Sequence, residues 1–377
     1  MSIFIGTDSH YIQGKKKFPS ASPNGHKFQF GLEAEFFLVN NKTFDPLWYK
    51  DLTFKKLNEI LENIPFEDLG GRLDLLSLEE PSTKVGPYVI EGYHVTDKDF
   101  KIKDLLPKGV EIRTPVFSSI EDCLSSYKIL FERMQNELKK NDLLAVSLSH
   151  HPQEDHFRGP QNKRRYDYWQ WAMEVMTTYG PDINVSVPLE ELKDFDQDDF
   201  LRKVNYYSPA LASLSTGSPF YKNKPCVYGD NELLSLRTYK RSVIAPPIEL
   251  HEDEENRFEF KIFEMTPYIE DFHSFYILFL TILFDKELKG RSDKATLIYE
   301  MGEASKKGLR SDKLRERLEQ VVKRAPMALE KFGFDLSSLE KVKKRIRERK
   351  TLSDELLLKY QEGSSLKDIF RYLSKIY

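Results

Sequence analysis

Apolar and polar residues alternate along several short segments of the chain, and this period of two is typical of β-strands with one buried face. In the segment 30-FGLEAEFFLV-39, the apolar side chains point one way, while Gly31, Glu33 and Glu35 point the other way. Three further segments alternate in the same manner, namely 110-VEIRTPV-116, 182-DINVSV-187 and 257-RFEFKIF-263. We therefore expect a sheet whose strands each present one packed side and one polar side.

Helical spacing separates these strands and fills the last part of the chain. The segment 118–140 has helical apolar spacing, with Ser119 and Asp122 at its N-terminal cap. The other predictions are an arm at 1–27, helices at 52–63, 164–178, 198–214 and from 271 onward, and strands at 72–77, 87–95 and 143–150. A doubly wound parallel sheet would show continuous apolar runs rather than alternation. The pattern therefore predicts an α+β fold.

The composition indicates a folded chain and gives no sign of a nucleic-acid-binding, membrane or secreted protein. Of its 377 residues, 40% are hydrophobic and 13% are aromatic, which is enough to bury a large core. A net charge of −3 gives no reason to expect nucleic acid as a partner. The longest apolar run, 272–284, is shorter than the ~20 residues that a membrane span needs, so it predicts a buried helix and no membrane partner. Two cysteines and no visible secretory signal favour a reducing, cytoplasmic location.

The polar sides of the alternating segments carry many carboxylates and few cations. The carboxylates are Glu33, Glu35, Glu111 and Glu259, and the cations counted with them are Arg113 and Lys261. One interpretation is an antiparallel sheet with a solvated face, on which the charges lie in water. Glutamate is a poor β-former, however, and four converging carboxylates would form a site for hard cations such as Mg²⁺ or Mn²⁺. The residues alone leave both interpretations open.

The segment GLEAEFFLV resembles the G-[VI]-E-x-E-F signature of the glutamate–cysteine ligase family, which includes the bacterial carboxylate–amine ligases. The resemblance continues, in the family's order, through KGVEIRTPV, SHHPQ, YGPDINVSVP, PALASLSTGSPFYKNKP, LSLRTYKR and RFEFKIFE. It spans about residues 28–265, and the shared order of the motifs makes it specific. The helical region that follows is only faintly similar to the family.

This resemblance implies a glutamine synthetase/guanidino kinase-like fold. Such a fold has a curved, mostly antiparallel sheet with helices on its outer face, and its concave polar face holds ATP with two or more Mg²⁺ (or Mn²⁺) ions. The sequence has no G-x-x-x-x-G-K-[ST] or G-x-G-x-x-G loop, so a nucleotide would be held mainly through the metals. We expect a catalytic domain over residues 1–285 and a C-terminal helical extension over 286–377 that packs on it.

The resemblance also implies roles for individual residues. The metal ligands would be Glu33, Glu35, Glu111, Asn184 and Glu259. The catalytic residues would be Lys261 and Arg237, and the nucleotide contacts Asp182 and Lys261. The substrate contacts would be Arg113, His150, His151 and Arg241. The chain departs from the family where Asp182 and Asn184 replace His-x-His, and where Lys261 replaces Arg and so loses the planar fork.

These features together favour an ATP-dependent carboxylate–amine ligase that forms a γ-glutamyl-type amide through an acyl phosphate. Its partners would be a small carboxylate, for which the resemblance favours glutamate, and an amine that the sequence does not identify. The segment 215–225 is the expected lid over the reactive intermediate. Two alternatives stay open, a phosphotransferase to a guanidino or amino group and a non-catalytic descendant that binds a nucleotide or metabolite. A homo-oligomer is left open as well.

Overall fold

The structure is a computed structural model, and it describes residues 27–73, 86–97, 99, 101–157, 173–242, 246–252 and 254–377. Several predictions therefore lie outside the described residues. These are the arm at 1–27 apart from Lys27, most of the strand at 72–77 and most of the aromatic-rich helix at 164–178.

The central element is an antiparallel sheet of eight strands. The described strands are β1 (Gln29–Asn40), β2 (Pro46–Leu47), β3 (Tyr88–Thr96), β4 (Ile102–Arg113), β5 (Leu143–Val146), β6 (Pro181–Ser186), β7 (Phe220–Tyr221), β8 (Lys224–Pro225), β9 (Val227–Tyr228), β10 (Asn231–Glu232), β11 (Ile248–His251) and β12 (Arg257–Phe260). In the sheet, β11, β12, β6, β1, β4 and β3 lie side by side in that order, and β2 and β5 also pair with β1. The four alternating segments thus become neighbouring strands, as the pattern predicted.

The helices follow the strands in the order that the apolar spacing indicates. They are α1 (Phe54–Leu61), α2 (Ile120–Lys140), α3 (Gln197–Ser215), α4 (Leu236–Arg241), α5 (Ile269–Phe284), α6 (Lys294–Lys307), α7 (Asp312–Leu329), α8 (Leu339–Glu348), α9 (Leu352–Gln361) and α10 (Leu366–Leu373). The predicted cap of α2 is confirmed, because the Ser119 hydroxyl accepts a hydrogen bond from the Asp122 amide at 3.1 Å. This bond satisfies one of the amides that a helix start leaves without an intrahelical partner.

The apolar side of the sheet is covered by helices, chiefly α2 and α5. The apolar side chains of β1 between Phe30 and Phe36 are no more than 1% exposed. From α5, the ring of Phe279 stacks on Phe260 of β12 at a centroid distance of 4.9 Å. Full burial of such a ring contributes about 1.5–3 kcal/mol. The run 272–284 is thus a buried helix, and no helix of the described chain is long and apolar enough to cross a membrane.

The helices after residue 285 share their core with the sheet. Leu314 and Leu318 of α7 belong to the same buried cluster as Phe30 and Leu32 of β1. A second cluster joins Phe37 of β1 to α9 and α10. Close to the chain end, the Leu373 carbonyl accepts a hydrogen bond from the Ser147 amide at 3.0 Å. These contacts support the proposal that residues 286–377 are an extension packed on the sheet domain rather than an independent unit.

Gly109 of β4 allows β4 to approach β1 closely. A Cβ atom added there would lie 2.0 Å from the Phe36 carbonyl oxygen, which belongs to the backbone and cannot rotate away. We therefore expect Gly109→Ala to lower the free energy of unfolding by about 1–3 kcal/mol, measured as a shift of the urea midpoint. Gly31→Ala is the control, because its Cβ would meet only ordinary contact at 3.7 Å from Asn184 Cβ. Equal urea midpoints for the two variants would contradict this account of Gly109.

Candidate active site

The register of the sheet brings the polar side chains of four strands together. Glu33 of β1 lies opposite Arg113 of β4 on one side and Asp182 of β6 on the other. Glu35 lies opposite Glu111, and Glu259 of β12 lies opposite Asn184 of β6. Because alternate residues of a strand share a face, all of these side chains project from the same side of the sheet. The structure thus places every residue that was predicted to bind metal on one face of the sheet.

Three of these carboxylates form a tight cluster in the middle of the face. Glu33, Asp182 and Glu259 each offer an oxygen, and the three atoms lie within 4.8 Å of one another. Burial raises the pKa of Asp182 to about 7, since the nearby Glu259 and Glu33 carboxylates add to the effect and Lys261 only partly opposes it. A donor set made only of carboxylate oxygens fits a hard divalent cation such as Mg²⁺ or Mn²⁺.

Glu35 is bonded to groups of the protein instead of joining this cluster. Its Oε1 atom accepts a hydrogen bond from Lys108 Nζ at 2.7 Å, and its Oε2 atom accepts one from the Gly180 amide at 2.9 Å. Burial opposes ionisation of Glu35, but the charge and hydrogen bond of Lys108 outweigh it and lower the pKa of this carboxyl. Lys108 is therefore a site residue that sequence reasoning missed.

Glu111 is also held by a neighbouring cation. Arg113 Nη2 donates to its Oε2 atom at 3.0 Å. Burial raises the pKa of Glu111 well above the usual range, although Arg113 acts in the opposite direction. The same guanidinium lies 3.4 Å from Glu33 and 3.9 Å from Glu91, so Arg113 links the three carboxylates.

Cations are more numerous on this face than the sequence suggested, which is a correction to the expectation that only Arg113 and Lys261 balance the carboxylates. Glu259 lies 2.8 Å from Arg257 and 2.9 Å from His251, and it also contacts Lys261. Burial raises the pKa of Glu259, but the hydrogen bond from His251 and the charges of Lys261 and Arg257 lower it far below the usual range. The face is therefore a mixed network of charges.

Lys261 is central to this network. Its ammonium group lies 3.1 Å from Asp182 and 3.7 Å from Glu249, in addition to its contact with Glu259. Asn184 is engaged as well, because its amide donates to Glu33 at 3.2 Å and its carbonyl oxygen accepts from Arg257 at 2.5 Å. Arg257 therefore occupies the oxygen through which Asn184 would bind a metal.

Two arginines of α4 adjoin the network. Arg237 and Arg241 are four residues apart, so they lie on one face of the helix, and both line a cavity that also contacts Lys261. Arg237 is 3% exposed, and its Nη2 atom donates to the Lys261 carbonyl at 3.2 Å. Burial and the adjacent Arg241 charge lower the pKa of Arg237 to about 10. Two neighbouring guanidinium groups next to a carboxylate cluster can bind an anionic substrate group.

The histidine pair has a different setting from the one predicted. His150 and His151 are at most 1% exposed, and three of their four ring nitrogens are hydrogen bonded within the protein. Burial lowers the pKa of His151 to about 3. The His151 ring packs against Trp48, with the two ring centroids 4.4 Å apart. This geometry gives no support to a substrate contact by either histidine, and that role stays a prediction.

The expected lid over 215–225 is largely a fixed part of the interior, which is a correction. Thr216 and Ser218 are fully buried. The Glu264 carboxylate accepts hydrogen bonds from the Gly217 amide at 2.9 Å and the Ser218 hydroxyl at 2.7 Å. Only the later part, the hairpin of β7 and β8, reaches the surface.

Comparison with known families matches this architecture. The family model for "Glutamate-cysteine ligase family 2 (GCS2)" matches residues 29–269, which is well over half of the chain. The chain belongs to this family. A curated relative, "Putative glutamate–cysteine ligase 2" from Jannaschia sp. (strain CCS1), is 24% identical over 225 residues, which cover 58% of this chain and 49% of the relative. The match thus spans about half the length of that relative.

Solved structures show the same fold at low sequence identity. A bifunctional glutathione synthetase from Pasteurella multocida superposes with a TM-score of 0.60 at 14% identity, covering 93% of this chain and 52% of that one. A glutamate–cysteine ligase from Francisella tularensis, solved with AMP, has a TM-score of 0.56 at 12% identity, covering 93% and 88%. The predicted family and the predicted α+β fold, with a curved antiparallel sheet and outer helices, are confirmed.

Proposed function

We propose that the protein is an ATP-dependent carboxylate–amine ligase with glutamate as its carboxylate substrate. The observation that carries the proposal is the cluster of Glu33, Asp182 and Glu259 within reach of a single cation. Lys261 contacts two members of the cluster, and the arginines of α4 adjoin it. Membership of the GCS2 family supports the same activity. The amine substrate is left for experiment to identify.

In this proposal, Glu33, Asp182 and Glu259 hold a divalent cation. A bound Mg²⁺ or Mn²⁺ would neutralise charge on the ATP phosphates. Glu35, Glu111 and Asn184 remain predicted ligands for a further ion, although each is hydrogen bonded to a cation of the protein. We also propose that Asp182 and Lys261 are the nucleotide contacts, a role that the resemblance implies.

The reaction that we propose has two steps. A carboxylate oxygen of glutamate attacks the γ-phosphorus of ATP, and the bond between this phosphorus and the oxygen that bridges it to the β-phosphorus breaks. ADP departs, and the product of this step is an acyl phosphate. The amine nitrogen then attacks the acyl carbon, phosphate departs, and the nitrogen loses a proton to give an amide. Lys261 and Arg237 stabilise the negative charge of the transferring phosphoryl group. Arg241 and Arg113 are the proposed contacts of the substrate carboxylate.

A second candidate function is a non-catalytic protein that binds a nucleotide or metabolite. The observation that favours it is the extent of pairing, since Glu259 already contacts Arg257 and Lys261 and is hydrogen bonded to His251. In that case a nucleotide would bind through the cations of the face, and no turnover would follow.

A product assay separates these functions. The protein is incubated with Mg-ATP, glutamate and a panel of amino acids and amines, and mass spectrometry detects every product. The ligase proposal predicts ADP, free phosphate and an amide in equal amounts, each dependent on glutamate and an amine and each abolished by EDTA. A phosphorylated acceptor without free phosphate would indicate a phosphotransferase. Calorimetric binding of Mg-ATP without turnover of any acceptor would indicate the binding protein.

A further inference from the structure

The guanidinium group of Arg237 lies directly against Gly180, the residue before β6. A Cβ atom at position 180 would lie 2.1 Å from Arg237 Nη2, 2.5 Å from Cζ and 2.6 Å from Nε. The φ angle of Gly180 lies outside the left-handed region, so the backbone itself does not require glycine. What requires glycine is the space that the arginine side chain occupies.

Gly180 is itself fixed by the sheet. Its amide donates to Glu35 Oε2 at 2.9 Å, and its carbonyl accepts from the Glu35 amide at 3.2 Å. Arg237 Nη2 in turn donates to the Lys261 carbonyl at 3.2 Å. The guanidinium group is thus held between Gly180, which precedes β6, and Lys261, which follows β12, at the border of the carboxylate network.

Glu264 restrains the backbone of α4 at the same arginine. Its buried carboxylate accepts hydrogen bonds from the Ser218 hydroxyl at 2.7 Å, from the Thr238 hydroxyl at 3.0 Å and from the Ser235 hydroxyl. The Ser218 oxygen also accepts a hydrogen bond from the Arg237 amide at 3.2 Å. The Ser235 oxygen accepts one from the Thr238 amide at 2.9 Å and so caps α4. The hydroxyls of Ser218 and Ser235 therefore connect Glu264 to the backbone of α4.

The protein does not use every donor of this restrained arginine. Arg237 Nε is buried and has no hydrogen-bond partner among the residues that the structure describes. A buried donor without an acceptor is costly, and a substrate oxygen would satisfy it. The restraints on Arg237 therefore leave at least the Nε–H group without an acceptor in the described part of the protein.

We propose that Gly180 and Glu264 are positioning residues that hold the guanidinium group of Arg237 in place for an anionic oxygen of the substrate. Glu264 sets the backbone of α4 through Ser218 and Ser235, and Gly180 provides the space in which the guanidinium group lies. This inference deepens the proposed ligase function and rests on it for the identity of the anion, which is the transferring phosphoryl group.

The test for Gly180 is a double-mutant cycle with Arg237. Gly180→Ala forces the guanidinium group to move, and a displacement of about 1 Å near the reacting atoms costs on the order of 10²-fold, here in kcat/KM. In an Arg237→Ala background, we expect Gly180→Ala to change kcat/KM by less than about 2-fold, because the group that it displaces is gone. Gly302→Ala in α6 is the control, since its Cβ would have nothing within 4 Å. An equal loss in both backgrounds would overturn the proposal.

The test for Glu264 uses Ser218→Ala, which removes the link to the Arg237 amide while leaving Glu264 its other donors. We expect a loss of about 3- to 10-fold in kcat/KM, the equivalent of one hydrogen bond, and none in the Arg237→Ala background. Ser213→Ala is the matched control, because this buried hydroxyl donates to Ala210 of its own helix. Unchanged activity of Ser218→Ala would remove Glu264 from the proposal.

Crystal structures keep the inference separate from the proposed function. If the wild type turns over no substrate, the ligase function fails, and the structure of the Gly180→Ala variant still decides the positioning. We expect Arg237 Nη2 to have left the Lys261 carbonyl in this variant, whereas the two atoms lie 3.2 Å apart in the wild type. A guanidinium group that keeps its wild-type position in the variant would overturn the proposal whatever the activity.

Discussion

Glu33→Gln is expected to lower Mg²⁺-dependent ATP turnover by at least about 10²-fold while the protein stays folded. The substitution removes one of the three carboxyl groups of the cluster with Asp182 and Glu259, and a neutral amide is a poor ligand for a hard cation. The fold should tolerate the change because Arg113, which lies 3.4 Å from Glu33, keeps its 3.0 Å contact with Glu111. Glu259→Gln should have a similar effect on turnover.

The measurement is ADP release at saturating ATP over a range of Mg²⁺ concentrations, with the thermal midpoint of each variant recorded in parallel. Glu254→Gln is the matched control, because Glu254 pairs with Arg257 at 2.7 Å but lies outside the cluster. We expect this control to keep wild-type turnover. Full activity of Glu33→Gln would show that the cluster is not the metal site, even if the ligase activity is real.

The alternation of β1 was enough to place Glu33 and Glu35 on one face, because period two follows from strand geometry alone. It could not show that the two carboxylates have different neighbours. That difference depends on register, which sets Asp182 beside Glu33 and Glu111 beside Glu35. Pairing between residues that are more than seventy positions apart in the sequence is fixed by the packing of the whole sheet.

Lys108 illustrates a second limit of sequence reasoning. Counting by twos from Glu111 places Lys108 on the apolar side of β4, so alternation gives no reason to expect it in the site. In the structure, Glu91 pairs with Gly109 while Gly92 pairs with Pro107, so the register shifts at Lys108. Such a bulge redirects the side chain of the extra residue, here towards Glu35. A bulge leaves little trace in the pattern of apolar positions.

In the helical region after residue 285, the sequence predicted the helices but not all of the contacts that attach them to the sheet domain. Apolar spacing predicted its helices, but its attachment to the sheet domain includes, besides the shared apolar core, a buried ion cluster that no local pattern indicates. Asp271 of α5 is 3% exposed, and it lies 2.9 Å from Arg345 and 3.0 Å from Lys341, both on α8. It also accepts a hydrogen bond from the Thr266 hydroxyl at 2.7 Å.

Asp271→Ala is therefore expected to lower the free energy of unfolding by about 3–5 kcal/mol, since it leaves two cations without their buried partner. Burial opposes ionisation of Asp271, but Arg345, Lys341 and Thr266 outweigh it and lower the pKa of the carboxyl. The stabilisation is thus present above the unfolded-state pKa of about 3.9 and is lost as the pH falls through the lower folded-state pKa. Urea unfolding at neutral and acidic pH measures both effects.

Glu270→Ala is the control, because Glu270 is 55% exposed and lies 3.9 Å from the same Lys341, so its loss should cost less than about 0.5 kcal/mol. Similar urea midpoints for the two variants would show that the ion cluster does not attach α8 to the sheet domain.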